Sequence, residues 1–303
     1  MSPLQTVLAG LMVRYRANVP DVDAILTALQ REGAIHSPSD IENDHIAFRT
    51  LGVPNLGLTS LERVFLHLGY QRRDRFHFAA KKLDARWYSP PDPTSPRIFI
   101  SELRVGDLSA RSQALVSSYT GAIQADPVDG LDLDDPRKVI EFLHRPLWRT
   151  PTWSDYAALL AESEYAAWAI YNRYYLNHFT IAVHALPPGW DTLEAFNAFL
   201  ERNGFRLNDS GGKMKVDRDG KLKQSSTVAA LVEAPFADGG GGEERQLIAG
   251  SYVEFAERLV LDQFARLPRH QLRREHRREG FEVANADRIF ESTYTAQTRK
   301  RTA

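Results

Sequence analysis

The order of elements along this chain recurs, and a recurring order constrains the fold more tightly than composition does. Asp44-His45-Ile46-Ala47-Phe48-Arg49 and Asn177-His178-Phe179-Thr180-Ile181-Ala182 each set a small polar residue, then His, at the head of a run of strand formers. A helix over residues 61–68, stopped at Gly69-Tyr70, follows the first. An amphipathic helix over 192–203, stopped at Gly204-Phe205, follows the second. Strands are then expected at 75–79, 85–88 and 97–103 in the first half. In the second half, Gly211-Gly212 and Asp219-Gly220 read as hairpin turns. A strand is expected at 227–232, a Gly-rich loop at 239–242, and a last strand at Ser251-Tyr252-Val253-Glu254-Phe255. Glu102 and Glu254 would hold corresponding last-strand positions.

The expected fold is therefore α+β, a pair of βαβββ modules around a central site, with inserted and terminal helices. One domain spans 1–303: a first module at 36–106, a helical insertion at 107–175, a second module at 176–258 and a C-terminal extension at 259–303. Residues 1–34 read as two helices broken at Val19-Pro20, with Gly33 as the stop. The run 269–278, rich in Arg and His, reads as a basic helix with a solvated face. It lacks the interleaved aromatics that stack nucleic-acid bases.

Bulk numbers narrow the function classes. With 303 residues, 43% apolar and 25% charged, the chain has the make-up of an ordinary globular protein. A net charge of −1 gives no global field toward nucleic acid or an anionic membrane. No apolar stretch approaches the roughly 20 residues of a membrane span, and no secretory cleavage pattern opens the chain, so a cytoplasmic location is expected. The chain has no cysteine, so a metal would be held by His, Asp or Glu.

Two histidines and one carboxylate form the ligand set of a non-haem Fe(II) site with open positions. His45, His178 and Glu254 are the candidates. Residues two and four apart on a strand share a face, so Arg49 points to the same side as His45 and offers a fixed fork for a carboxylate. His77 alternates with Phe76 and Phe78 and is a candidate acid–base group. Gln224, Ser225 and Ser226 lead into a strand as hydrogen-bonding side chains able to orient a substrate. Each residue also has a plainer reading: a hydrogen-bonded core histidine, an acid paired with Arg258, a polar hairpin shoulder. Glu102 competes with Glu254, and a fourth protein ligand would suit Zn or Ni Lewis-acid chemistry better than oxygen activation.

Strand, helix and three strands, twice, with His on the first strand and Glu on the last, resembles the vicinal oxygen chelate superfamily. The segments 44–50, 177–180, 224–227 and 252–255, with Gly280-Phe281-Glu282-Val283-Ala284-Asn285-Ala286-Asp287-Arg288-Ile289-Phe290-Glu291-Ser292-Thr293, together resemble one family within it. That is the 2-oxoadipate dioxygenase/decarboxylase (2-hydroxyglutarate synthase) family, and the resemblance covers residues from about 40 to 294. It implies Fe(II) held by His45, His178 and Glu254, and a small 2-oxo acid and O2 as partners. Arg49 would grip a substrate carboxylate, and the oxidation would belong to lysine catabolism. This chain looks shorter than the longest bacterial members, mainly between its halves, which bears on the choice of oxo acid. Two other functions remain open: a Zn- or Ni-dependent lyase or isomerase of the same superfamily, and a non-enzymatic small-ligand-binding protein.

Overall fold

The computed structural model describes residues 1–302. Its strands are β1 (Asn43–Leu51), β2 (Gln71–Phe78), β3 (Leu83–Ser89), β4 (Arg97–Leu103), β5 (Leu176–Ala182), β6 (Lys215–Val216), β7 (Leu222–Ser226), β8 (Leu231–Ala237), β9 (Glu243–Ala249) and β10 (Tyr252–Arg258). Its α-helices are α1 (Pro3–Asn18), α2 (Pro20–Arg31), α3 (Gly57–His67), α4 (Ala110–Thr120), α5 (Pro136–His144), α6 (Trp153–Glu162), α7 (Glu164–Asn172), α8 (Leu193–Arg202), α9 (Val283–Ile289) and α10 (Thr295–Thr302).

Eight of the strands form one sheet in the order β2-β3-β4-β1-β5-β10-β7-β6. The order is a palindrome of two modules. β1 is parallel to β4 and β5 is parallel to β10, while β1 and β5 run antiparallel at the centre. At that seam His45 faces Thr180 and Ala47 faces His178. Exchanging the halves maps each pair onto the other. The sequence repeat is thus a local two-fold about the middle of the sheet.

The helix in each module forms and stops for the same reasons. α3 buries Leu58, Leu61, Val64 and Phe65, and α8 buries Leu193, Phe196, Phe199 and Leu200, at the three- and four-residue spacing that makes one apolar stripe. Both end on a left-handed glycine, Gly69 at φ +94° and Gly204 at φ +82°. The amides of Tyr70 and Phe205 each reach back to the helix, to the carbonyls of Phe65 and Leu200, both at 3.0 Å. This is the same C-terminal hydrogen-bond motif twice.

Helices α4 to α7 separate the modules, and α7 packs against the end of β1, with Tyr165 and Trp168 beside Arg49. The Tyr165 hydroxyl on α7 takes the Thr50 amide and meets Ser101 Oγ. On the site side of the sheet, residues 280–293 form a strap that lays Phe281, Ile289 and Phe290 against the first residues of the central strands. Among the described residues no helix is long and apolar enough to cross a membrane.

Two expected elements differ. The strand expected at 227–232 is instead β7, which ends at Ser226, followed by a separate β8–β9 hairpin whose tip is the Gly-rich loop. Residues 228 and 229 leave the sheet because their amides bond Arg206 O and Ser292 O. The basic stretch 269–278 is two short 3-10 turns rather than an α-helix. Its arginines staple the chain to itself: Arg269 to Leu186 O and Asp191, Arg274 to Ser95 O, Arg277 to Arg258 O and Arg278 to Asp217.

Candidate metal centre

The palindromic register brings three residues from three adjacent strands to one point. His45 heads β1, His178 heads β5 and Glu254 lies two residues into β10, opposite Thr180. One ligand atom from each lies within 4.8 Å of the others, and all three residues are buried.

The geometry directs the free nitrogens inward. His45 Nδ1 donates to Asp44 Oδ1 at 2.8 Å, which leaves Nε2 facing Glu254 Oε1 at 3.4 Å and Thr180 Oγ1 at 3.1 Å. His178 Nδ1 sits 3.1 Å from the side-chain oxygen of Asn177, leaving its Nε2 3.1 Å from Glu254 Oε2. Gln224 Nε2 donates to Glu254 Oε1 at 2.7 Å, and Asn285 Nδ2 holds the Gln224 oxygen at 3.1 Å.

Burial disfavours charge on all three groups, and neighbours decide the outcome. For Glu254, His45, His178 and the Gln224 hydrogen bond outweigh burial and hold the carboxyl below its usual range. For His45, Glu254 and Asp44 outweigh burial and raise it. The His178 imidazole falls to about 3, because burial and the cations at His45 and Arg49 overcome Glu254. The result is a buried carboxylate bonded to a neutral amide and flanked by two imidazole nitrogens. That donor set fits a divalent transition metal, with Nε2, Nε2 and a carboxylate oxygen as ligands.

Arg49 shares the His45 face of β1, four residues on, and is 1% exposed. Its terminal nitrogens go to neutral acceptors, Thr293 Oγ1 and Phe290 O, both at 2.9 Å. Its Nε is buried without a partner, as is the Tyr252 hydroxyl. Burial pushes the Tyr252 phenol well above its ordinary value, opposed by the neighbouring Arg49 charge. The cavity beside the triad is about 20 Å³ and is lined by Phe99, Gln224, Tyr252 and the strap residues Phe281, Ala286, Ile289 and Phe290.

Other candidates lie elsewhere. His77 is on the edge strand β2 with 62% of its side chain exposed, bonded to Asp84 and Arg104. Ser225 points to the opposite face, to Asn197 on α8, and Ser226 meets Ser292 of the strap. Glu102 is outside the cluster. It pairs in register with Thr50, and its Oε2 takes the Leu58 amide at the start of α3, at 2.6 Å. Gly57, at φ +84°, leaves room there that a Cβ would fill, 2.1 Å from that oxygen. The residue that matches Glu254 in the first half is Phe99: each lies two places beyond the partner of the His, Arg97 for His45 and Tyr252 for His178. Arg258 pairs with Asp44 and not with Glu254. Strand alternation already sets Thr180 on the His178 face and Tyr252 on the Glu254 face, whereas nothing local in the sequence marks Phe99 or assigns any of the three to the site. The repeat, read with the right register, is the signal that finds them.

Comparison with known proteins agrees with this architecture. A putative glyoxalase superfamily protein from Ralstonia eutropha JMP134 shares the fold, at 21% identity and a TM-score of 0.73, covering 93% of this chain and 88% of that one. The chain thus has a glyoxalase-like, vicinal-oxygen-chelate fold with a His-His-Glu cluster able to hold a metal. Residues 7–270 match the family described as 2-oxoadipate dioxygenase/decarboxylase. A chloroplastic/amyloplastic 2-oxoadipate dioxygenase/decarboxylase of Oryza sativa subsp. japonica is 41% identical over 309 residues, covering 99% of this chain and 81% of the relative. The crystal structure of the hydroxyglutarate synthase from Oryza sativa in complex with 2-oxoadipate matches with a TM-score of 0.86 and 41% identity, covering 98% of this chain and 93% of that one. The chain belongs to the 2-oxoadipate dioxygenase/decarboxylase family.

Proposed function

We propose that this protein converts 2-oxoadipate and O2 to 2-hydroxyglutarate and CO2, with Fe(II) held by His45, His178 and Glu254. The observation that carries the reading is the buried His-His-Glu cluster in a chain of this family. Bound Fe(II) would supply the electron-transfer and oxygen chemistry that side chains lack.

The chain's own residues do the rest. Asp44 fixes the orientation of the His45 imidazole, Asn177 makes a single longer contact to that of His178, and Gln224, held by Asn285, fixes Glu254. Arg49 is the anchor for a substrate carboxylate, since a buried guanidinium facing only neutral acceptors has charge to offer. Tyr252 places a second buried hydroxyl beside it. Phe99, Phe281, Ile289 and Phe290 exclude water from the reacting end. A cavity of about 20 Å³ is on the scale of a single water, so a dicarboxylic oxo acid is admitted as the strap shifts. A carboxylate on Arg49 would replace the Phe290 and Thr293 contacts that hold the strap down.

The test is oxygen uptake by Fe(II)-loaded protein with 2-oxoadipate, with 2-oxoglutarate alongside and His178→Ala as control. Uptake matched by CO2 release and lost in the control supports the reading. Silence with every oxo acid despite bound iron would sink it.

A further inference from the structure

The two histidines are held very differently. Behind His45 stands Asp44, 2% exposed, whose carboxylate takes His45 Nδ1 at 2.8 Å, Arg258 Nη2 at 2.9 Å and Nε at 2.6 Å, and Arg97 Nη1 at 3.2 Å. Arg97 in turn forks onto Glu279, and Arg258 Nη1 holds Gly280 O at 2.8 Å. Phe281, the next residue, lays its ring edge-on to His45 with centroids 4.8 Å apart. The His45 imidazole is therefore fixed at its Nδ1 and on its flank by one connected network.

Behind His178, at the matching position of the second module, stands the neutral Asn177 at 3.1 Å. Its Nδ2 is buried with no hydrogen-bond partner. The position that holds Arg97 in the first module holds Tyr252 in the second, which has no charge to give.

We infer that Asp44, clamped by Arg258 and Arg97, is a positioning residue of the metal centre, setting the His45 tautomer and the metal affinity, whereas Asn177 contributes little. A carboxylate partner fixes a ligating imidazole and strengthens it as a donor, and loss of such a partner costs about 10–100-fold in metal affinity. The inference rests on the metal reading above and adds which histidine dominates and why. It also ties the strap, through Glu279 and Gly280, to the ligand shell.

The test is anaerobic Co(II) titration of the full chain, with His178→Ala as the blank. Asp44→Asn should weaken Co(II) binding by about 10–100-fold, and Asn177→Ala by less than about 3-fold. Asp44→Asn leaves two guanidiniums facing one carboxylate, so the double variant Asp44→Asn/Arg258→Gln restores charge balance among the four groups. Its thermal midpoint should recover while the affinity stays low. Wild-type affinity in the single variant, or its return in the double variant, would overturn the inference. A second readout uses the unaltered protein. In its Co(II) form, the hyperfine-shifted His45 Nδ1–H should exchange with water more slowly than that of His178, and the reverse order would overturn the inference. Absence of Co(II) binding by the wild-type chain would instead defeat the metal reading, and this one with it.

Discussion

The two modules share a backbone plan and differ at the positions that matter. Both place His at the head of the first strand and end their helix on the same glycine motif. On the site face, the first module then has Ala47, Arg49 and Phe99 where the second has Thr180, Ala182 and Glu254. One acid, not two, completes the cluster, and one arginine, not two, stands beyond it. A duplicated scaffold supplies paired histidines, and single-residue differences leave a His-His-Glu cluster on one side of the cleft and a lone buried arginine on the other.

Exchanging residues between the halves tests that comparison. The largest effect is expected from His178→Ala or Glu254→Ala, which remove a ligand. Metal binding and oxygen uptake should both fall below detection in dialysis and electrode assays. Phe99→Glu copies the second half into the first and buries an acid among aromatic rings. It should cost more than about 3 kcal/mol of stability in metal-free protein, read from urea midpoints. Arg49→Ala makes the first strand resemble the second. It should lower kcat/KM for 2-oxoadipate by about 30-fold or more, a cost of about 2 kcal/mol, with metal affinity unchanged.

A pH difference separates the modules as well. Burial alone would raise the Asp44 carboxyl, but Arg258, Arg97 and His45 hold it well below its usual range. Its folded value lies below the unfolded one of about 3.9. Its stabilisation is therefore complete above that value and is lost as pH falls through the folded value. Asn177 does not titrate. Urea midpoints of wild type should drop on acidification below about pH 4 more steeply than those of Asp44→Asn, whereas parallel curves would contradict the ion-pair account. The smallest effects belong outside the cluster. Glu102→Gln should cost about 1 kcal/mol or less through the α3 contact, and His77→Ala should leave kcat/KM within a factor of about two.

Much of this was legible in the residues. Matched polar-His pairs at strand heads, with helices ending at Gly69 and Gly204, announced the doubled plan, and period-two alternation put Arg49 on the His45 side. Register was not legible. Pairing Glu102 with Glu254 follows from counting along the last strands, yet the crossovers set the parallel ladders so that Phe99 takes that place and Glu102 caps α3. Alternation gave His77 a face but could not reveal that β2 is an exposed edge strand. The arginines of 269–278 read as a solvated helix because their partners are mostly backbone carbonyls and acids far away in sequence. Likewise, nothing local marks Asp44 as the meeting point of Arg97 and Arg258, which lie 53 and 214 residues away.

The most direct test of the central claim is the metal content of the chain and its ligand dependence. Anaerobic equilibrium dialysis with Fe(II) should show one ion per chain, lost on changing His45, His178 or Glu254 to Ala and kept in Glu102→Ala. Full binding by Glu254→Ala, or loss in Glu102→Ala, would contradict the assignment of the second module's acid as the single carboxylate ligand.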